Sequence, residues 1–363
     1  MLLFVYFKKK YRFCSGSVNK YMTTIIAKAQ GIKMRILTVA LIQMCPKPYA
    51  LKENLRLGLK LAKDSLKNGV NLVVFPELFD SGYCVAPNDK DFALDFAKLQ
   101  KHTTFKALSA FAKENALHII ACGIEKSNKK LYDTAYIIAP SGKCVGKHRK
   151  IYLWGEEKSR FHKGKKYEVF SLDFGTFRAK VGLQICYEIG FGVGANILAL
   201  KGAEVLIYPS AFGAARAYNW NLLSKARAVE NGCFILACNH SGTEVSNSSR
   251  SDFSRLCKSH PLQRTTSASH SLDSQKRKNS SAILEFVSNK NDKITETNTK
   301  SIAFAGDSQI ISPQGKIIKK ATKLNEAIIA QINLDEIYPQ REAIPYLKDF
   351  DPKLTKRSFG KST

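Results

Sequence analysis

Apolar side chains recur along this chain with two different periods. Residues 36–43 are almost all apolar or β-branched, as in a buried strand, and residues 72–75 form a second such run. Between the runs, apolar residues recur at the three- or four-residue spacing of an amphipathic helix, at Leu55, Leu59, Ala62 and Leu66. Gly69 follows, where a helix commonly ends. The pattern predicts a strand, a helix and a second strand in succession.

The alternation of helix and strand continues through the next part of the chain. The predicted helices are 105–115, 194–202 and 219–230, and the predicted strands are 117–122, 135–138, 179–185, 204–208 and 233–238. Strand-like segments resume at 302–305, 308–311, 317–318 and 327–332. This alternation predicts an α/β fold in which helices cover a sheet.

Three segments have a composition that does not favour a packed core. Residues 1–33 form a lysine-rich N-terminal extension that we predict to be disordered, with Met34 an alternative start. From about 244 to 300, Ser, Lys, Asn, Thr and Arg dominate, which predicts a low-complexity insertion. Because strand-like sequence resumes after it, we place this insertion inside a single domain over 34–352. A basic tail, 353–363, follows.

The formal net charge is +27, and part of it comes from the segments predicted to lie outside the core. Residues 1–33 carry seven Lys or Arg and no acidic residue, and residues 244–300 carry ten against six acidic residues. The remaining excess is dispersed, without a nucleic-acid-binding motif, so a nucleic-acid partner is not expected. No run reaches the roughly 18 apolar residues of a membrane helix, and the apolar run 1–7 is shorter than the core expected of a signal peptide. We therefore expect a cytoplasmic protein without a membrane partner.

The cysteines and histidines do not form a framework for disulfides or metal. The nine cysteines include no C-x-x-C pair, and the seven histidines are scattered. Free thiols are the expected state of the cysteines, and neither a metal site nor a cofactor is expected.

Three reactive side chains lie beside strand-like segments. Glu77 follows the apolar run that Pro76 ends, Lys150 precedes the apolar residues 151–153, and Cys186 ends a predicted strand. In α/β sheets, reacting groups gather at the carboxyl ends of strands. Each residue alone is more often structural or solvated than catalytic. The three together supply what acyl transfer needs.

The chemistry of this set is specific. A carboxylate can take the proton of a thiol as its sulfur attacks a carbonyl carbon. An ammonium favours the thiolate and stabilises the oxyanion that then forms. The backbone N–H of Tyr187, directly after the cysteine, is the expected second oxyanion donor. Glu77, Lys150 and Cys186 are therefore the candidate base, electrostatic stabiliser and nucleophile.

The segments around these residues resemble the nitrilase superfamily of carbon–nitrogen hydrolases. The resemblance lies in V-V-F-P-E-L-F-D-S-G-Y (73–83), H-R-K-I-Y-L (148–153) and G-L-Q-I-C-Y-E (182–188). Flanking blocks at 198–212, 220–239 and 306–315 agree and come in the family order. The similarity covers about 35–243 and 302–352.

The resemblance implies a four-layer α-β-β-α sandwich and subunits that assemble as a homodimer or larger homo-oligomer. It implies that Cys186 is the nucleophile, Glu77 the general base and Lys150 the oxyanion-stabilising lysine. Many members carry a second active-site glutamate in a stretch like E-x-x-x-F-x-x-G, which makes Glu157 the candidate, with Glu156 its neighbour. The expected activity is hydrolysis of an amide or carbamoyl bond of a small molecule through a cysteine thioester, releasing ammonia or an amine.

The chain departs from the family pattern at two places beside the expected pocket. Tyr152 stands where His is common, and Gly190–Gly194 replaces an Arg-Phe-Pro-Glu-like stretch. These departures bear on the substrate rather than on the basic chemistry. Tyr187-Glu188 after the cysteine resembles the amidase branches, and linear amides or carbamoyl amines are the favoured substrates.

Three alternatives remain open at this point. The protein could be a nitrilase acting on a nitrile through the same residues. It could be a cysteine–histidine hydrolase with His148 or His240 as base, although no papain-like signature surrounds Cys186. It could also be a non-catalytic basic scaffold, although a degenerate relative has little reason to keep buried charges beside a thiol.

Overall fold

The computed structural model describes residues 34–83, 88–245 and 301–354. The strands are β1 (Ile36–Gln43), β2 (Leu72–Val74), β3 (Leu94–Asp95), β4 (His118–Ser127), β5 (Lys130–Ile138), β6 (Cys144–Arg149), β7 (Val169–Asp173), β8 (Arg178–Leu183), β9 (Val205–Ser210), β10 (Phe234–Asn239), β11 (Thr243–Val245), β12 (Ser301–Ala303), β13 (Gln309–Ile311), β14 (Ile317–Lys320) and β15 (Glu326–Asn333). The α-helices are α1 (Leu51–Ser65), α2 (Thr103–Glu114), α3 (Glu157–Arg160), α4 (Gly192–Leu200), α5 (Ala217–Asn231), α6 (Ile337–Ala343) and α7 (Tyr346–Asp349).

Most of these strands form two mixed sheets. The first sheet has the order β15-β1-β2-β4-β5-β6, with β3 beside β4, and the second has the order β14-β13-β10-β9-β8-β7. β1, β2 and β4 run parallel, as do β8, β9 and β10. Each parallel set therefore brings the carboxyl ends of its strands to one edge, where reacting groups are expected.

The two faces of β1 explain how the layers pack. Leu37, Val39 and Leu41 belong to the core between the two sheets, whereas Ala40 and Ile42 belong to a second core. That second core also includes residues of α1 and α2, so these helices cover the outer face of the first sheet. α4 and α5 pack on the second sheet. The predicted α-β-β-α order of layers is thus confirmed.

The strand next to Lys150 lies on the other side of the lysine from the one that the sequence suggested. The apolar residues 151–153 are not a strand; instead Lys150 directly follows the polar strand β6. β6 lies at the edge of the first sheet, and several of its residues are partly exposed. An edge strand with one open side has no need of a continuous apolar sequence, and its polar composition concealed it.

The predictions for the unusual segments are largely untested. The N-terminal extension 1–33, the insertion from residue 246 to 300 and the tail from residue 355 lie outside the described residues. No helix within the described part is long and apolar enough to cross a membrane.

Candidate active site

The fold brings the three candidate side chains together from both sheets. Glu77 follows β2, and Lys150 follows β6, in the first sheet. Cys186 follows β8 in the second sheet, where it begins a short 3₁₀ helix, Cys186–Gly190. Coulombic interactions link all three residues, so one buried cluster spans the gap between the sheets.

Lys150 lies at the centre of a group of acidic side chains. Its Nζ atom is 2.5 Å from Oε1 of Glu77, 2.8 Å from Oε1 of Glu157 and 3.4 Å from Oδ2 of Asp133. The side chains of Lys150, Glu77 and Asp133 are fully buried. One ammonium is therefore the shared counterion of three carboxylates in a site from which water is excluded. The three carboxylates are close enough to hold a metal ion, but the Lys150 ammonium already supplies the positive charge among them.

Glu157, rather than its exposed neighbour Glu156, lies beside the lysine. The Tyr83 hydroxyl donates to Oε1 of Glu157 at 2.5 Å, and the Trp154 backbone N–H donates to Oε2 at 2.9 Å. These donors fix the carboxylate toward Lys150.

Asp133 is a member of this group that the sequence analysis missed. It comes from β5, and its backbone carbonyl accepts the Lys150 N–H at 2.9 Å. The Cys122 thiol donates to its Oδ1 atom at 3.2 Å. The available signal was a single carboxylate in a strand of mostly apolar residues, since a buried charge without a partner is costly.

Burial and the surplus of carboxylates set the proton affinities of the site. Burial raises the pKa of Glu77 to about 8, Lys150 opposes this rise, and the neighbouring Asp133 adds to it. Burial also raises the pKa of Asp133. For Lys150, burial lowers the pKa, but Glu77, Glu157 and Asp133 together raise it well above its ordinary value. The lysine stays charged, and Glu77 has a proton affinity suited to taking and returning a proton near neutral pH.

Replacing Asp133 by Asn is expected to move the acid limb of the kcat/KM–pH profile to lower pH. Removing a negative neighbour lowers the pKa of Glu77, so more of the base is ionised below neutrality. At pH 6, we expect kcat/KM, expressed as a fraction of its plateau value, to be roughly 2- to 10-fold higher in the variant than in the wild type. The exposed Asp173→Asn variant is the control. An unchanged profile would show that Asp133 carries a proton throughout and does not act on Glu77.

Cys186 adopts an unusual backbone conformation. Its φ is +48°, in the left-handed region that non-glycine residues rarely occupy, and such strain occurs often at active sites. The residue is 5% exposed and a free thiol. The Ala211 backbone N–H contacts the Cys186 sulfur and also donates to Oε2 of Glu77 at 2.7 Å. The turn therefore aims the sulfur toward the base.

The thiol is neutral in the resting site, which differs from the expectation that Lys150 favours the thiolate. Burial and the charge of Glu77 raise the pKa of Cys186 well above its ordinary value, and Lys150 only partly offsets them. Sulfur attack must then be coupled to proton transfer onto a base.

The Tyr187 N–H, the expected second oxyanion donor, lies in the first turn of the 3₁₀ helix that Cys186 begins. Backbone N–H groups in a first turn have no acceptor within the helix. This N–H is therefore available for an oxyanion.

Glu188 connects the segments that carry Lys150 and Cys186, a positioning role that the sequence analysis did not predict. Its Oε2 atom accepts the Ile185 N–H at 2.7 Å, and its Oε1 atom accepts the Ile151 N–H at 3.1 Å. The His148 Nε2 atom lies 2.8 Å from Oε2. The Glu188 side chain is fully buried, so these contacts hold the two strand ends in a fixed relation.

Replacing Glu188 by Ala is expected to destabilise the protein by about 3 kcal/mol or more, because several buried donors lose a charged acceptor. Glu188→Gln keeps one of the two acceptor oxygens, so its loss of stability should be smaller. Urea unfolding measures both, with the surface variant Glu168→Ala as control. A loss below 1 kcal/mol in Glu188→Ala would contradict this role.

The histidines of the cysteine–histidine alternative have other partners. His148 contacts Glu188, and His240 Nε2 lies 2.5 Å from the Glu77 backbone oxygen. Burial lowers the pKa of His240 to about 3. Within the described chain, no hydrogen bond joins either ring to Cys186. This geometry does not favour a histidine base.

A pocket opens above Cys186. Its walls are mainly aromatic, from Tyr83, Trp154, Tyr187 and Phe212, and Arg216 lies on the same pocket. A small pocket with apolar walls over a reactive thiol suits a small organic substrate.

Comparison with known proteins agrees with this architecture. The sequence profile described as carbon-nitrogen hydrolase matches residues 38–342. The chain therefore belongs to the carbon–nitrogen hydrolase family, within the nitrilase superfamily.

Individual relatives carry more specific names. The chain is 34% identical over 199 residues to hydrolase C26A3.11 of Schizosaccharomyces pombe, covering 51% of this chain and 59% of that protein. It is 35% identical over 191 residues to omega-amidase NIT2 of Mus musculus, covering 50% of this chain and 67% of that protein. The crystal structure of Saccharomyces cerevisiae Nit3, of branch 10 of the nitrilase superfamily, has a TM-score of 0.65 and 24% identity, covering 86% of this chain and 95% of that one. That likeness concerns the fold.

Proposed function

We propose that this protein hydrolyses an amide or carbamoyl bond of a small molecule through a thioester on Cys186. The observation that carries the proposal is the buried Lys150, which contacts Glu77 and Glu157 beside a strained, neutral thiol. A structural role does not account for so many desolvated charges around one cysteine, since burying them is costly.

The first half of the reaction forms the thioester. Glu77 takes the Cys186 thiol proton as sulfur attacks the carbonyl carbon, and the carbonyl π electrons move to oxygen. Lys150 Nζ and the Tyr187 N–H hold that oxyanion. The oxyanion then collapses, the C–N bond breaks, and the nitrogen leaves with the proton that Glu77 took from the thiol, passed on by Glu77 directly or by way of Glu157, so that Glu77 is again ionised.

The second half releases the acid. Water gives a proton to Glu77 and attacks the thioester carbon. The C–S bond breaks, and the sulfur recovers its proton from Glu77. The raised pKa of Glu77, about 8, fits a group that takes up and releases a proton twice in each cycle. The chemistry uses the protein's own side chains and water.

We favour amides over nitriles as substrates. Tyr187-Glu188 after the nucleophile resembles the amidase branches, and a relative that shares 35% identity is named an omega-amidase. A nitrile remains the second candidate, because the same residues serve both reactions. We also propose a homodimer or larger homo-oligomer, which light scattering on a sizing column measures.

Ammonia release by the purified protein tests the proposal. The panel comprises short aliphatic amides, ω-amides of dicarboxylic acids, N-carbamoyl amines and amino acids, and nitriles, with Cys186→Ala protein alongside. Release from amides or carbamoyl compounds that is absent in the variant supports the proposal. Release from nitriles alone would assign the nitrilase alternative, and equal release by the variant would overturn the role of Cys186.

A further inference from the structure

Arg216 introduces a charge into a pocket wall that is otherwise uncharged. The described residues lining the pocket above Cys186 are aromatic, aliphatic or glycine apart from the cysteine itself and this arginine. Arg216 ends a short 3₁₀ turn, Ala214–Arg216, directly before α5. The stretch after the nucleophile, Gly190–Gly194, contains no cation, so this wall is where the pocket can recognise an anionic group.

The guanidinium is held by aromatic rings. Its central carbon lies 4.2 Å from the Trp154 ring centroid and 5.5 Å from the Phe212 centroid. Stacking fixes the plane of a guanidinium and leaves its N–H edges able to bind a planar anion in two contacts.

Arg216 has no carboxylate partner among the residues that the structure describes. Arg149, Arg160 and Arg227 each contact a carboxylate oxygen within 2.8 Å. Arg216 is half-buried, as Arg149 and Arg160 are, yet it lines a pocket whose described walls contain no acidic side chain. A desolvated arginine is normally paired, so the missing anion is expected to come from a ligand.

The charge of the inner site explains why such a cation is needed. Three carboxylates surround one ammonium below the pocket, and when Glu77 is ionised to act as the base their negative charge opposes the approach of an anionic substrate. A cation on the pocket wall offsets this repulsion and orients the substrate, with the amide toward Cys186 and the anion toward Arg216.

We propose that Arg216 binds the carboxylate of the substrate, which makes the substrate the amide of a small molecule carrying a carboxylate at its other end. This inference rests on the proposed amide hydrolysis. Monoamides of short dicarboxylic acids and N-carbamoyl amino acids both have this chemistry, and the test separates them.

The test compares charged and neutral substrates of similar length in matched variants. The charged substrates are succinamate, glutaramate and N-carbamoyl glycine, and the neutral one is butyramide. The variants are Arg216→Gln, Arg216→Lys and Arg178→Gln, the last removing an exposed arginine that pairs with Asp173. Thermal unfolding checks that each variant is folded.

Arg216→Gln is expected to lower kcat/KM for the preferred carboxylate substrate about 10- to 100-fold, mainly through KM, because a charged two-point contact is lost. Butyramide hydrolysis should change less than about threefold. Arg216→Lys should be intermediate, since lysine keeps the charge without the planar fork, and Arg178→Gln should behave as wild type. The charged substrate that shows this loss tells whether the natural substrate is a dicarboxylic acid monoamide or an N-carbamoyl amino acid.

Other outcomes overturn the inference. Equal losses on charged and neutral amides would show that Arg216 only supports Trp154, and no loss on either would show that it does not bind substrate.

Binding of succinamate, glutaramate and N-carbamoyl glycine to Cys186→Ala protein, with and without Arg216→Gln, separates this inference from the proposed function. Arginine-dependent binding without turnover in wild type would leave the subsite standing and count against hydrolysis. Butyramide turnover without arginine-dependent binding would support amide hydrolysis and count against the Arg216 subsite.

Discussion

Replacing Cys186 by Ala is expected to lower kcat by about 10⁴-fold or more while leaving the protein folded. The sulfur is the atom that bonds to the acyl group, and removing a nucleophile removes nearly all chemical catalysis. The free energy of unfolding should change by no more than about 1 kcal/mol, since one small buried atom is lost and the backbone conformation stays as it is. Steady-state ammonia release and urea unfolding measure the two effects.

Cys233→Ala is a matched control for that variant. Its thiol is also buried, but it contacts the backbone oxygens of Ala203 and Asn231, away from the pocket. Activity should persist in Cys233→Ala. Residual turnover above a few per cent in Cys186→Ala would eliminate Cys186 as the nucleophile.

Replacing Lys150 by Met is expected to lower kcat about 10²- to 10³-fold, as for loss of other oxyanion donors. The same change should destabilise the fold by about 3–5 kcal/mol, because Glu77, Asp133 and Glu157 lose their cation inside the protein. Burial already holds the folded-state pKa values of Glu77 and Asp133 above their unfolded values, and without the lysine they rise further. Protonation then supports the fold at low pH, and this support is lost as pH rises. The stability deficit should be larger at pH 8 than at pH 5.

Lys147→Met provides the comparison for Lys150→Met. Lys147 lies on β6 close to Lys150, is partly exposed and pairs with Glu125, so its loss should have little effect on kcat. A rise in KM for Lys150→Met at unchanged kcat would mean that the lysine only binds substrate. A stability deficit independent of pH would contradict the buried-carboxylate account.

The positions of most strands and helices in the core could be predicted from the sequence. β1 was predicted with its observed ends, and Gly69, with a φ of +68°, follows the helical segment as expected. These elements are buried on one or both faces, so their apolar periodicity is strong. β6 and β7 were missed; each lies at one edge of its sheet, and its exposed polar side chains weaken the apolar pattern.

The candidate site was predictable only in part. Glu77, Lys150, Glu157 and Cys186 were identified from local motifs, and the structure brings them together. Asp133 and Glu188 act through long-range contacts between strands and between sheets, which no local spacing encodes. Arg216 follows β9 at a distance of six residues, and only the folded chain shows that it borders the pocket.

Mass mapping of the protein during turnover tests the central claim most directly. Wild-type protein is acid-quenched while hydrolysing its best amide substrate, digested, and analysed by mass spectrometry. We predict an adduct equal to the substrate minus ammonia on the peptide containing Cys186, lost on hydroxylamine treatment and absent from Cys186→Ala protein. An adduct on another side chain, or undiminished ammonia release by Cys186→Ala, would contradict the thioester account.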